Sequence, residues 1–236
     1  FVQVRKKCDT MRIKSGKDGR GRFGEQMKLY LIRHGETDWN KERKLQGKSD
    51  IELNTFGRTL ARKTAKHLRD LSFDLAITSP LKRAKETAEI LLEGREIPLL
   101  EDERLAEMGF GCLEGYYCKG EKMNIPDPKF HYFYDDPACY QAPEGGESFE
   151  ELLKRAKGFL ADLCEKKAYE NKTILLSTHG AMLRALLDTV KGIGVEQFWD
   201  SGVQKNCAVS VIEIKDGIAK VIEEGVIYYD DEVEDW

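Results

Sequence analysis

The stretch Leu29-Tyr30-Leu31-Ile32-Arg33-His34-Gly35-Glu36-Thr37 decides the reading of this chain. Its apolar half is short, β-prone and free of charge, the pattern of a strand buried on both faces. It gives way at once to Arg33, His34 and Gly35. A buried strand ending this way carries two ionisable groups to the edge of a core, and ligands of open α/β sheets bind outside such carboxyl ends. The chemistry is expected there.

Working outward, residues 55–70 place Phe56, Leu60, Ala61, Ala65 and Leu68 at helical spacing, with Thr55 as the expected N-cap. Residues 73–78 predict a second strand. Ser79 and Pro80 then predict an N-cap and first helical position, for a helix to about residue 93 ended by Gly94. A short strand is expected near residues 97–100. Ser148 and Glu151 form a capping box that opens a helix to about residue 167. Residues 173–178 predict a third buried strand, ending in His179-Gly180, and residues 181–190 a helix. Residues 207–214 and 218–222 predict a hairpin across Lys215-Asp216-Gly217. Strands and helices alternate at βαβ spacing, so the fold class is α/β with a mostly parallel sheet.

The 236 residues are 41% hydrophobic, which suits one α/β domain or a domain with a modest insertion. A net charge of −4 gives no pull toward nucleic acid or an anionic membrane. No apolar run approaches the roughly 20 residues of a membrane span, and no signal-peptide pattern appears. A cytoplasmic location is expected. Cys8, Cys112, Cys118, Cys139, Cys164 and Cys207 form no C-x-x-C pair and read as reduced thiols. Cys112, Cys118, His131 and Cys139 can be drawn as zinc ligands, but their spacing matches no usual site. No metal and no cofactor is expected.

Residues 1–26 hold eight Lys or Arg, four Gly and no apolar periodicity. Such a segment cannot bury enough surface to offset its ordering entropy, so a disordered extension or appended segment is expected. Met27 reads as the natural start of a domain spanning residues 27–227. A mitochondrial presequence fits poorly, because Asp9, Asp18 and Glu25 are acidic. Residues 109–147 hold four of the six prolines and eight of the 22 aromatic residues, and read as a long excursion with a lid insertion at about 112–147. Excursions of that length inside compact domains are usually functional. Tyr116, Tyr117, His131, Tyr132, Phe133, Tyr134 and Tyr140 are expected either to line a lid over a substrate or to pack the excursion onto the core. Residues 228–236 form an acidic tail, expected to be loose.

Four histidines occur, and two of them, His34 and His179, stand directly after a predicted buried strand and directly before Gly. His67 lies among Arg62, Lys63, Lys66 and Arg69 and reads as a solvated surface residue. His131 lies in the excursion, within reach of a ligand there. Arg33 adjoins His34, and Arg83 falls in the first turn of the helix expected at Ser79-Pro80, whose free N–H groups suit a phosphate. Guanidinium forks bind phosphate oxygens and stay charged. Two imidazoles and two guanidiniums around one cavity make an anion site.

Arg33-His34-Gly35-Glu36-Thr37, Trp39-Asn40, Gln46-Gly47 and Asp50 resemble the opening signature of the histidine phosphatase superfamily, also called phosphoglycerate mutase-like. The resemblance continues through residues 78–84, Leu105-Ala106-Glu107, Phe110-Gly111, Glu114-Gly115, Gly145-Gly146-Glu147-Ser148 and Thr178-His179-Gly180, and covers residues 28–222. It implies a three-layer α/β/α sandwich with a phosphate pocket at the strand ends. It implies His34 as nucleophile, becoming a phosphohistidine, with Arg33, Arg83 and His179 neutralising the phosphate. It further implies Asn40, Gln46, Gly47 and Gly180 as phosphate or substrate contacts, and Glu107 as general acid and then general base.

Within that family the chain reads as a phosphatase acting on a small phosphorylated metabolite. A cofactor-dependent phosphoglycerate mutase is the runner-up, disfavoured because Leu45-Gln46-Gly47-Lys48 replaces the Trp-containing loop of the glycolytic mutases and only 30 positions separate Gly115 from Gly145. An inactive phosphate-binding scaffold is the remote alternative. Sugar phosphates, phosphoglycerates, nucleotides and a cobalamin-precursor phosphate all stay open as substrates. So does the oligomeric state, a homodimer included.

Overall fold

The computed structural model describes residues 10–12 and 26–233. Strand β2 (Gln26–Arg33) contains the opening stretch, and its alternation sets the layers. Leu29 and Leu31 face one core, whereas Tyr30 and Ile32 face another. Strand β5 (Thr173–Thr178) lies beside β2 and splits in the same way, with Ile174 and Leu176 on one face and Leu175 on the other.

The sheet order is β1-β7-β6-β2-β5-β3-β4, with β1 (Thr10–Arg12), β3 (Leu75–Thr78), β4 (Leu99–Glu101), β6 (Val209–Lys215) and β7 (Ile218–Val226). Strands β2, β3, β4, β5 and β7 run in one direction, and β6 and β1 run against them. The turn between β6 and β7 places Asp216 at φ 51° and Gly217 at φ 75°. Two consecutive left-handed residues match the twist of a hairpin.

Helices α5 (Phe149–Glu165) and α6 (Gly180–Lys191) cover one face with Phe149, Leu152, Phe159, Met182 and Leu186. Helices α2 (Thr55–His67) and α3 (Lys82–Leu91) lie on the other, where Leu91 and the α2 C-cap Leu68 join the core of that face. The result is the expected three-layer sandwich. Each fully buried Leu or Phe contributes about 1.5–3 kcal/mol of hydrophobic free energy. Among the described residues no helix is long and apolar enough to cross a membrane.

Several boundaries differ from the sequence expectation. Asn54, not Thr55, caps α2, its Oδ1 accepting from the Gly57 amide at 2.7 Å. Helix α3 starts at Lys82, with Leu81 at the cap and no side-chain cap bond. Most of residues 1–26 lies outside the described residues, but Thr10–Arg12 pair with Lys220, Ala219 and Ile218 as an edge strand, and Gln26 already belongs to β2. The tail is docked through residue 233. Tyr229 is 6% and Val233 7% exposed, because their apolar bodies join Leu60, Ala61 and Cys207 in a cluster of their own.

The excursion carries one short helix, α4 (Tyr132–Asp135), between isolated turns. Phe133 stacks on Phe130 and on Phe149, with centroids 5.4 Å and 5.2 Å apart, so the excursion is fused to the core by its rings.

Candidate active site

The parallel register of β2 against β5 sets Arg33 opposite Thr178. The residue after each is a histidine, so His34 and His179 leave the sheet side by side, ring centroids 5.1 Å apart. His34 Nδ1 lies 2.7 Å from the Gly35 carbonyl oxygen. A carbonyl only accepts, so Nδ1 carries the proton and Nε2 keeps its lone pair. His179 Nε2 meets the Ser79 hydroxyl at 2.7 Å, and its Nδ1 is buried with no protein partner.

Both guanidiniums are buried. Arg33 donates through Nη1 to the Gln204 carbonyl at 2.5 Å. Arg83 donates through Nη1 and Nη2 to the Ser49 and Gly47 carbonyls, each at 2.7 Å, and so supports the loop that carries Gln46 and Gly47. The expectation that the α3 N-terminus faces a phosphate is corrected. Asp50 Oδ1 accepts the Lys82 amide at 2.7 Å and occupies that end of the helix. Ser79 Oγ accepts the Leu81 amide at 3.2 Å, ahead of the helix, and does not cap it.

Asn40 is fixed by helix α1 (Asp38–Lys41), a single turn in which Thr37 and Asn40 form a capping box. Gly47, at φ 51°, lies against Glu114, whose Oε1 accepts the Lys48 and Phe110 amides at 2.9 and 3.2 Å and whose Oε2 accepts the Ser49 hydroxyl at 2.6 Å. The carboxylate of Glu107 accepts from the Met108 amide at 2.9 Å and from the Ala181 and Met182 amides at 3.2 and 3.1 Å. The start of α6 is therefore spent on Glu107, next to Gly180. A Cβ at position 180 would sit 3.6 Å from both Arg33 Nε and Glu107 Oε2, so Gly180 marks the meeting of those two groups.

Arg33, His34, Asn40, Gln46, Gly47, Arg83, Glu107 and Gly180 line one cavity of about 60 Å³, and His179 is fully buried beside His34. The rest of the lining is mostly apolar, with Leu45, Phe110, Phe133, Tyr134, Trp199 and Val203, and also includes Lys44. Of the aromatic residues in the expected lid only Phe133 and Tyr134 reach the cavity. Tyr140 is buried in the ring cluster, Tyr117 lies under Lys44, and His131 bonds the Pro128 carbonyl at 2.8 Å. His67 is exposed and stacks on Tyr228, centroids 5.2 Å apart. A wider crevice of about 740 Å³ behind α1 shares Asn40 with the site and holds neither imidazole. Among the described residues no His, Cys, Asp and Glu side chains gather as a metal set.

Burial, and then the charges of Arg83 and Arg33, push the His34 imidazole well below its ordinary range. Burial and Arg83 do the same to His179, with His34, Arg155 and Arg33 adding to the effect. Burial pulls Arg33 and Arg83 down to about 10, against the opposing charge of Glu107, which still leaves both charged at neutral pH. The site thus presents an uncharged imidazole with a free Nε2 lone pair in one cavity with two guanidinium cations. That is an electrophile-ready arrangement for a phosphoryl group, whose negative charge otherwise repels attack.

Sequence reasoning did not identify Ser79 as the partner of His179, nor Trp199, Val203 and Asn206 beyond α6. It also passed over Arg155, which forks onto Glu147 at 2.8 and 2.6 Å and donates to the Arg104 and Ala106 carbonyls beside Glu107. Glu147 was visible in the Gly145-Gly146-Glu147-Ser148 motif, and an Arg two turns into the following helix is the signal that was available.

The sequence model of the histidine phosphatase superfamily (branch 1) matches residues 29–224. The chain is 40% identical over 162 residues to the Bacillus subtilis (strain 168) protein named "Uncharacterized phosphatase PhoE", covering 69% of this chain and 76% of that one. It is 33% identical over 165 residues to "Phosphoglycerate mutase-like protein 4" of Arabidopsis thaliana, covering 69% and 70%. Among solved structures, Bacillus stearothermophilus YhfR superimposes with a TM-score of 0.78 at 35% identity, covering 86% of this chain and 98% of that one.

Proposed function

The chain belongs to the histidine phosphatase superfamily (branch 1), and from that premise we propose that it is a phosphomonoesterase working through a phosphohistidine on His34. The observation that carries the reading is the bond from His34 Nδ1–H to the Gly35 carbonyl, which leaves Nε2 as the only ring atom able to attack phosphorus. The Nε2 lone pair forms the N–P bond while the ester P–O bond breaks. Glu107 gives its proton to the departing alkoxide, then takes one from the water that attacks the phosphohistidine and releases inorganic phosphate. Arg33 and Arg83 hold the phosphoryl oxygens. An incoming dianion also favours the charged form of His179, which is neutral in the protein alone.

The leaving group lies against Phe110, Phe133, Tyr134 and Trp199, which suits a small organic phosphate. Small phosphorylated metabolites are the proposed partners, and a cytoplasmic location goes with that reading. A mutase is the competing reading, since relatives carrying mutase-like names match over similar lengths. Rapid quenching with a 32P-labelled aryl phosphate is expected to trap an acid-labile, base-stable label that His34→Ala lacks. 3-Phosphoglycerate is expected to yield inorganic phosphate and no 2-phosphoglycerate. Turnover without a trapped label overturns the phosphohistidine, and isomerisation without phosphate release overturns the hydrolase.

A further inference from the structure

The chain after β7 runs beyond the last residue matched by the family, residue 224, and returns to the nucleophile. Residues 228–233 lie along α2, held by Val233 in the cluster with Leu60 and Ala61 and by a Lys63–Asp231 ion pair at 2.5 Å. From this strap the Tyr229 hydroxyl donates to the Asn206 carbonyl at 2.5 Å. The Asn206 side chain in turn donates through Nδ2 to the His34 carbonyl at 2.8 Å. Cys207, whose backbone is left-handed at φ 57°, donates its amide to the Arg33 carbonyl at 3.0 Å. The Gln204 carbonyl takes the Arg33 guanidinium. Segment 204–207 thus holds Arg33 at both ends and His34 by its carbonyl, and Tyr229 holds the segment.

We propose that this C-terminal strap positions the nucleophile: Tyr229, acting through Asn206, fixes the His34–Gly35 peptide and with it the aim of the His34 ring. The argument is one of linked planes. The carbonyl gripped by Asn206 belongs to the peptide that leads into Gly35, and the carbonyl of Gly35 is the group that orients the imidazole. A rotation of the first plane moves the second. In-line attack on phosphorus tolerates little such movement, because near-attack geometry accounts for much of the rate. Tyr229 and Asn206 are both buried, so losing either bond leaves a largely buried polar group without its partner. The inference rests on His34 being the nucleophile.

The test is Tyr229→Phe, which removes one hydroxyl and keeps the ring in its cluster. With an aryl phosphate, kcat and the quench-flow rate of phosphohistidine formation are both expected to fall about tenfold, the size of one buried hydrogen bond, with KM and the affinity for inorganic phosphate within twofold. Asn206→Asp, isosteric but presenting an acceptor to the His34 carbonyl, is expected to lose at least as much. The double variant is expected to lose no more than Asn206→Asp alone, because the two residues act in series. Should Tyr229→Phe fail to fold, Asn206→Asp reads the same step. A wild-type rate of phosphohistidine formation in a folded variant, or a lowered melting temperature with unchanged kcat, overturns the strap's role. An untrapped phosphohistidine in the wild type instead overturns the nucleophile itself.

Discussion

Gly35 and Gly57 touch backbone to backbone. A methyl at position 57 would lie 2.1 Å from the Glu36 carbonyl oxygen, and one at position 35 would lie 2.7 Å from the Gly57 carbonyl oxygen. The first turn of α2 is therefore seated directly on the loop that follows His34. Gly35 is further fixed by its amide, which donates to the Thr87 hydroxyl of α3 at 3.0 Å. Two helices on one face of the sheet thus set the peptide whose carbonyl orients the His34 imidazole.

The consequence is measurable in Gly57→Ala. Neither neighbour is a flexible side-chain end, so the helix and the loop must separate, and overpacking of this kind costs about 1–3 kcal/mol. Denaturant unfolding is expected to show that loss. Steady-state kinetics is expected to show a fall in kcat that exceeds any change in KM, because the displaced group is the proposed nucleophile. Unchanged kcat in a destabilised protein would show that the loop absorbs the shift.

Arg155 should matter for the placement of Glu107 without touching the cavity. Its fork neutralises Glu147, and it bonds the carbonyls of residues 104 and 106, just before Glu107. Lysine keeps the charge but cannot make these contacts together. Arg155→Lys is expected to lower kcat by about tenfold, the size of a lost charge-assisted bond. The loss should be greatest for substrates with poor leaving groups, where protonation of the alkoxide limits the rate. Comparing alkyl with nitrophenyl esters checks this. An equal loss for both points away from the acid step.

Trp199 lines the cavity beside Phe133, its Nε1–H donating to the Phe133 carbonyl at 2.6 Å. That bond ties the excursion to the segment that follows α6, and both residues line the cavity, on the proposed leaving-group side. Trp199→Phe keeps an aromatic ring and removes the donor. KM for an aryl phosphate is expected to rise about threefold to tenfold, within the worth of one hydrogen bond, while the affinity for inorganic phosphate stays put. A parallel loss of phosphate affinity would place Trp199 on the anion side instead.

The strands that build the site were legible because a buried parallel strand is centred on an unbroken apolar run, here residues 29–32 and 174–176. The pairing of His34 with His179 was not, since it depends on a register between strands far apart in the chain. Ser79 reads as a helix cap by its neighbour Pro80, but its hydroxyl is engaged by His179, while Asp50 takes the helix end from 32 residues away. Local sequence has no access to such competition. The docked tail was missed for a related reason. Its acidic residues dominate the composition, whereas Tyr229 and Val233 decide its packing. Residues 192–206 carry no periodicity, and only tertiary contacts bring Trp199, Val203 and Asn206 to the site.

The two buried imidazoles make stability depend on pH with a definite sign. Both are held well below their ordinary value, chiefly by burial and by Arg83. Near and below pH 6.5 the unfolded chain therefore binds more protons than the folded one, and the free energy of unfolding rises with pH. Their contribution is complete above about pH 6.5 and is lost progressively as the pH falls below it. The urea midpoint of the ligand-free protein is expected to drop between pH 7.5 and 5.5. His179→Asn, which cannot titrate, is expected to flatten part of that slope. Sulfate, a dianion throughout this range, favours the charged rings, so the stabilisation it confers should grow as the pH falls. A sulfate effect independent of pH would mean that the anion is held by Arg33 and Arg83 alone, and His179 would then have no charge to give the phosphoryl group.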